Sequence, residues 1–172
     1  MNTEQLLSRF DTAISTMISM LSSLNEEELN QPEATGKWSA GQVGQHIRMS
    51  TNGFPQLLRS PGVKVDRAAD EKVPQIEDIF LNYQTKFSAP DFIVPEDRRY
   101  TSKELIDALE SMRNESIVAA KEIDLSDGTI GFELPGLGQF TKYEWIAFAA
   151  IHTTRHNEQL KRIINKVKQQ VA

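Results

Sequence analysis

The 172-residue sequence contains no cysteine. That absence excludes disulfides, thiolate metal ligands and cysteine nucleophiles together, so any thiol used in chemistry must be supplied from outside the chain. Long hydrophobic runs are missing too, and nothing approaches the roughly 18 consecutive apolar residues that suggest a membrane span. The start of the chain, MNTEQLLSRF, lacks the basic segment, apolar core and small-residue cleavage site of a secretory signal, and the expected location is the cytoplasm. Basic charge is not in excess either: 19 Lys and Arg stand against 24 Asp and Glu, giving a net charge of −5 with the two signs interspersed. The C-terminal bases at 161, 162, 166 and 168 spread around a mixed surface rather than forming the patch a nucleic acid needs. Neither nucleic acid nor membrane is therefore expected as a partner.

Ready-made cofactor motifs are also absent. The glycines of DLSDGTIGFELPGLGQF, residues 124–140, do not form GxxxxGK[ST], and no Rossmann-type strand and fingerprint introduces them. Asp66, Asp70 and Glu71, or Asp124 and Asp127, lack EF-hand spacing.

What the chain does have is helical periodicity over most of its length. Leu6, Leu7, Phe10, Ile14, Met17, Leu21 and Leu24 recur at spacings of three and four, one face of a first helix. Ser39 with Gln42, Thr101 with Glu104 and Thr141 with Glu144 have capping-box spacing and are read as the starts of helices two, three and four. Gly41, Gly44 and Gly53 weaken helix two, each by about 1 kcal/mol relative to alanine if interior, so tertiary packing must hold it. Pro55 should bend or end its regular part. Between Ser60 and Tyr100 four prolines loosen the pattern, with a short helix expected over Ile76 to Phe87. A small hairpin is possible around Thr129 to Leu134. These features predict an all-α chain: one domain over 1–172, a four-helix bundle with a long irregular crossover between helices two and three.

Histidine is as scarce as it is informative. Three are present, and two of them, His152 and His156, stand four residues apart on the inward stripe of the last helix with Trp145, Ala149, Leu160 and Ile163. Side chains at that spacing share a face and can reach one ion beside the helix. His46 reads inward from helix two beside Val43 and Ile47. Three imidazoles from two helices suit a borderline metal and leave positions open for water or substrate. The same positions also suit histidines that are simply hydrogen-bonded within a core. The zinc-protease pattern does not apply, because Thr153 stands where that motif needs its glutamate base.

The sequence resembles the DinB-like (DinB/YfiT-like) metalloenzyme family over roughly Leu6 to Val167. The resemblance is carried by KWSAGQVGQHI, residues 37–47, by FELPGLGQFTKYEW leading into the last helix, and by IHTTRHNEQLKRI, residues 151–163. It implies an up-down-down-up four-helix bundle, frequent homodimers, and a metal site at His46, His152 and His156 holding a divalent ion, zinc or nickel before others. Some relatives transfer a low-molecular-weight thiol to electrophiles, which a thiol-activating ion makes physically reasonable. A small-molecule hydrolase, or a non-catalytic metal-binding or protein-interaction bundle, are the other readings.

Around the site, Asp11, Glu115, Gln42 and Gln45 are candidates to orient the imidazoles, and the sequence does not choose among them. Glu158 reads as an exposed charge, and Arg155 and Asn157 as surface groups or the border of a polar mouth. Trp38 reads as a hydrophobic staple at the start of helix two. Met17, Met20, Met49 and Met112 could give soft edges to an apolar pocket.

Overall fold

The computed structural model describes residues 1–171. Helix α1 (Thr3–Ser22) begins at a reciprocal cap: the Gln5 amide donates to Asn2 Oδ1 at 2.8 Å and the Asn2 amide donates to Gln5 Oε1 at 3.0 Å. Its apolar stripe is buried as the spacing predicts, with Leu6, Ile14, Met17 and Leu21 all at 0 % exposure. The acidic connection that follows is not plain loop. It contains a five-residue helix, α2 (Glu26–Asn30), capped by Asn25 and Glu28 in the same reciprocal manner.

Helix α3 (Ala40–Ser50) starts at Ser39 with both bonds of the expected capping box to Gln42. Its glycines are explained by close approach. A Cβ at Gly41 would lie 3.2 Å from Tyr100 Cβ and 3.3 Å from the Leu29 carbonyl oxygen, and one at Gly44 would lie 3.0 Å from a Leu21 methyl. Packing thus recovers what low helix propensity loses. Pro55 neither bends nor ends this helix. The chain turns at Gly53, which has φ +74, and Pro55 sits in the first turn of a separate helix, α4 (Phe54–Arg59), where a missing N–H costs nothing.

Helix α5 (Val73–Phe80) is shorter than the expected Ile76 to Phe87 element and begins earlier. Its last carbonyl is claimed from outside the helix. Arg155 takes the Phe80 carbonyl at 2.9 Å, while the Gln84 amide that a continuing helix would aim at it donates instead to Asn82 Oδ1 at 3.1 Å. A 3₁₀ turn at Asp91–Ile93 precedes α6 (Ser102–Glu122). Thr101 caps α6 by accepting from the Glu104 amide, but no return bond is formed, since the Glu104 carboxylate pairs with Arg98 at 3.1 Å. Helix α7 (Lys142–Val171) completes the bundle, with α1 packed most extensively on α7 and then α6, and α3 against both α6 and α7.

The expectation of a strictly all-α chain needs correction. Strands β1 (Gly62–Val63), β2 (Gly128–Leu134) and β3 (Gly138–Thr141) form an antiparallel sheet in the order β1-β2-β3. The pairs Gly62 with Thr129, Gly128 with Thr141 and Leu134 with Gly138 set its register, and the pairing shifts between Gly128 and Glu133. The hairpin reached further than Thr129 to Leu134 because its return strand runs directly into α7. Its third strand comes from the crossover, a contact of long sequence separation that periodicity does not reveal. Among the described residues no helix is long and apolar enough to cross a membrane.

One buried ion pair ties these parts together. Glu144 is fully buried and accepts two bonds from Arg67, at 2.6 and 2.7 Å, one from the Lys72 amide at 2.8 Å and one from the Thr141 amide at 2.9 Å. The predicted cap of α7 is therefore also the anchor of crossover residues 67–72. Bidentate geometry and full use of the carboxylate oxygens are what let such a pair offset its desolvation. Glu144→Ala would leave the Arg67 guanidinium, 16 % exposed, without its partner. The expected loss of stability is about 3–5 kcal/mol, and Glu144→Gln, which retains an acceptor for the Thr141 amide, should lose less. Urea denaturation of the two variants checks the order, and equal losses would mean that the acceptor kept by Gln contributes nothing beyond the lost charge.

Candidate metal centre

His46 projects from the buried face of α3, and His152 and His156 from successive turns of α7. Their rings meet. His152 Nε2 lies 3.3 Å from His46 Nε2 and 3.1 Å from His156 Nε2, and the three ligand atoms are all within 4.8 Å of one another. His46 is 3 % and His152 9 % exposed. A single ion bonded to imidazole nitrogens at about 2.0–2.1 Å in tetrahedral geometry would space those nitrogens by about 3.3 Å. The donor set therefore fits a borderline divalent cation without rearrangement of the backbone.

The remaining ring nitrogens are held so that the ligating ones stay free. His46 Nδ1 lies 2.8 Å from the Ile93 carbonyl oxygen, which can only accept, so Nδ1 carries the proton and Nε2 keeps its lone pair. His156 Nδ1 lies 2.8 Å from Gln159 Oε1 and is fixed in the same tautomer. His152 is set by packing: its ring stacks on Phe148, 5.4 Å between centroids and 7° from parallel, and meets the Phe80 ring edge-on at 6.0 Å. Trp38 lies 5.1 Å from the His46 ring and so forms part of the wall around the site.

Electrostatics keep all three rings neutral. Burial lowers the pKa of His46, against a smaller raising effect of its bond to Ile93. Burial drives His152 well below the usual histidine range, helped by His156, His46 and Arg155. His156 is pushed down to about 3, again by burial first and then by His46, with the Gln159 bond opposing. Neutral imidazole is the form that binds a metal.

The crossover supplies working parts of the site. Ile93 orients His46, and Phe80 packs on His152. Arg155 is not an ordinary surface group: it donates to the carbonyls of Phe80, Asn82 and Thr85 and lies over the Phe87 ring at 4.9 Å, fastening that stretch beside the histidines. Asn157 is also interior, donating to the Ala13 carbonyl of α1 at 2.9 Å. Glu158 stands outside, paired with Lys161.

The orienting groups were not among the four candidates. Asp11 pairs with Arg113, Glu115 accepts from Ser111, and Gln42 is spent on the α3 cap. Gln45 makes no bond to the imidazoles, and its Oε1 is buried without a partner. Gln159 could have been found, because it lies three residues after His156 on the same helix face. Ile93 could not, since a backbone carbonyl has no sequence signature.

A family model for the DinB superfamily matches residues 9–160. The chain belongs to the DinB superfamily. It is 23 % identical over 151 residues to the uncharacterized protein YuaE of Bacillus subtilis (strain 168), a match covering 86 % of this chain and 90 % of that one. Its fold is similar to that of YfiT from Bacillus subtilis, described as a probable metal-dependent hydrolase with an unusual four-helix bundle topology. The TM-score is 0.59 at 13 % identity, over 99 % of this chain and 90 % of YfiT.

The depressed histidines make a pH-dependent prediction for the metal-free protein. Below the ordinary histidine pKa of about 6.5 the unfolded chain binds protons that the folded one does not, so their contribution is present above that pH and is lost as pH falls. For His156 the window runs from about 6.5 down to about 3. Unfolding free energy should drop by at least about 1 kcal/mol between pH 7 and pH 5. The drop should be smaller in His156→Gln. Denaturant titrations at the two pH values check this, and an unchanged slope in the variant would contradict it.

Proposed function

We propose that His46, His152 and His156 hold one divalent ion, Zn²⁺ or Ni²⁺, and that the protein is a metal-dependent enzyme acting on a small molecule. The observation that carries this reading is the convergence of three Nε2 atoms, two of them in tautomers that leave a lone pair facing the others. Lone pairs gathered at such separations repel one another unless a cation or a shared proton lies between them. The ion supplies Lewis acidity, lowering the pKa of a bound thiol or water.

The reaction favoured is transfer of a low-molecular-weight thiol to an electrophile. The thiol releases its proton to solvent, its sulfur bonds the electrophilic carbon, and the leaving group departs with the bonding pair. A chain without cysteine is compatible with a sulfur brought by the co-substrate. The cluster itself contains three imidazoles and no carboxylate, which suits a thiol better than a water awaiting a general base. Hydrolysis of a small molecule is the second reading, supported by the description of YfiT and by the likeness of fold. In either case the chain's own residues have the same tasks. Ile93 and Gln159 orient the rings, and Phe80, Phe148 and Trp38 keep water from their flanks.

Chelated protein without a histidine tag should take up about one equivalent of Zn²⁺ or Ni²⁺ per chain, measured by elemental analysis and calorimetry. His46→Ala, His152→Ala and His156→Ala should each abolish tight uptake while the helical signal survives. Gln159→Ala should keep the stoichiometry and weaken affinity by about tenfold, the scale of losing a group that orients a ligand. Unchanged affinity in all three histidine variants would remove the proposed site. A screen of thiols against electrophiles, then of hydrolase substrates, separates the two reactions, and metal uptake with no turnover in either screen would leave a non-catalytic binding bundle.

A further inference from the structure

Beside the metal centre lies a second feature that the histidines do not explain. A cavity of about 230 Å³ is walled by Phe54, Leu57, Phe132, Trp145, Phe148 and His152. His152 is shared, its ring forming part of the cavity wall and its Nε2 part of the metal centre. The volume falls below the roughly 300–1,000 Å³ of pockets that enclose whole drug-sized molecules, and suits one ring-sized group.

The walls carry no charge, and among their side-chain donors the Trp145 indole and the Ser50 and Thr51 hydroxyls are already used, which leaves the exposed Asn52 amide and the His152 ring. The Trp145 Nε1–H donates to Thr129 Oγ1 at 2.9 Å, and the Thr51 and Ser50 hydroxyls at the rim both donate to the Ile47 carbonyl, at 2.7 and 3.1 Å. A carboxylate or phosphate placed here would lose its water and find no cationic side chain, only the uncharged Asn52 amide and His152 ring as donors, which is costly. An uncharged ring would lose nothing and bury apolar surface. Phe132 points to the same occupant. It is 52 % exposed although its ring lies 5.1 Å from Trp145, and it is carried there by the stretch of β2 where pairing shifts and Gly131 adopts φ +73.

We infer that this cavity binds an uncharged aromatic or branched aliphatic group of the substrate. The substrate is thus a molecule with such a group joined to the centre that reacts at the histidines. This assignment rests on the metal-dependent reading above. Phe132 and Ala149 set the size of the group accepted, Phe132 as the outer wall and Ala149 as a small residue of α7 facing the cavity.

The test uses ¹⁵N-labelled full-length protein, metal-free and Zn²⁺-loaded, titrated with 4-methylbenzyl alcohol and with 4-methylbenzoate. The indole N–H signal of Trp145, distinguished from that of Trp38 by Trp38→Phe, is the readout. The alcohol should shift it saturably in both forms, and in metal-free protein the benzoate should bind at least about tenfold more weakly. Phe132→Ala, at a half-exposed position that the fold does not need, should weaken the alcohol by about three- to tenfold, and Ala149→Leu should abolish its binding. No saturable shift with the alcohol, or equal affinity for the benzoate, overturns the inference. A Trp145 response in protein whose histidines take up no ion would sink the metal reading and leave the cavity's selectivity standing. Tight ion uptake with a silent Trp145 would sink the cavity alone.

Discussion

Three imidazole nitrogens within 4.8 Å of one another, that of His152 within hydrogen-bonding distance of the other two, in a place from which water is nearly excluded, impose the constraint on which the rest of this molecule depends. They can share one cation only if the rings are neutral and each proton is directed away from the centre. Burial accomplishes the first, by penalising the charged form of His46, His152 and His156. Nδ1 bonds to Ile93 and Gln159 accomplish the second for two of the rings. An orienting shell of this kind is as much a part of a metal site as its ligands.

That constraint explains why the irregular crossover is so firmly attached. Residues 60–100 contain little regular structure, yet they are fastened along their length, among other places by Glu144 at residues 67–72, by Arg155 at residues 80–85, and by His46 at Ile93. Glu144 and Arg155 both belong to α7, the helix that also bears two of the histidines. α7 thus positions much of the crossover together with two of the three site histidines. A loop carrying function on a helical scaffold needs such ties, because its own backbone bonds are too few to hold it.

The small sheet belongs to the same logic. β3 runs directly into α7, and the shifted pairing of β2 brings Phe132 over Trp145, closing one side of the cavity that adjoins His152. None of the five methionines lines that cavity; Met17, for example, is fully buried in the core of α1, as methionines at helical spacing usually are.

The four bundle helices, most of their starts and the three histidines were legible in the residues alone, because a 3.6-residue period and capping spacings are local properties that survive without knowledge of the neighbours. Gln42 returned its cap bond as read, whereas Glu104 turned to Arg98, a choice made by a neighbour that spacing does not show. What the fold alone decided is everything that joins positions far apart in the chain: the meeting of His46 with a pair 106 residues away, the carbonyl of Ile93 that orients it, the return of β1 to β2, and the second use of Glu144 as an anchor. Such contacts depend on where whole elements come to rest against one another. A backbone carbonyl or a guanidinium reaching 75 residues along the chain leaves no periodic trace by which that resting place could be read.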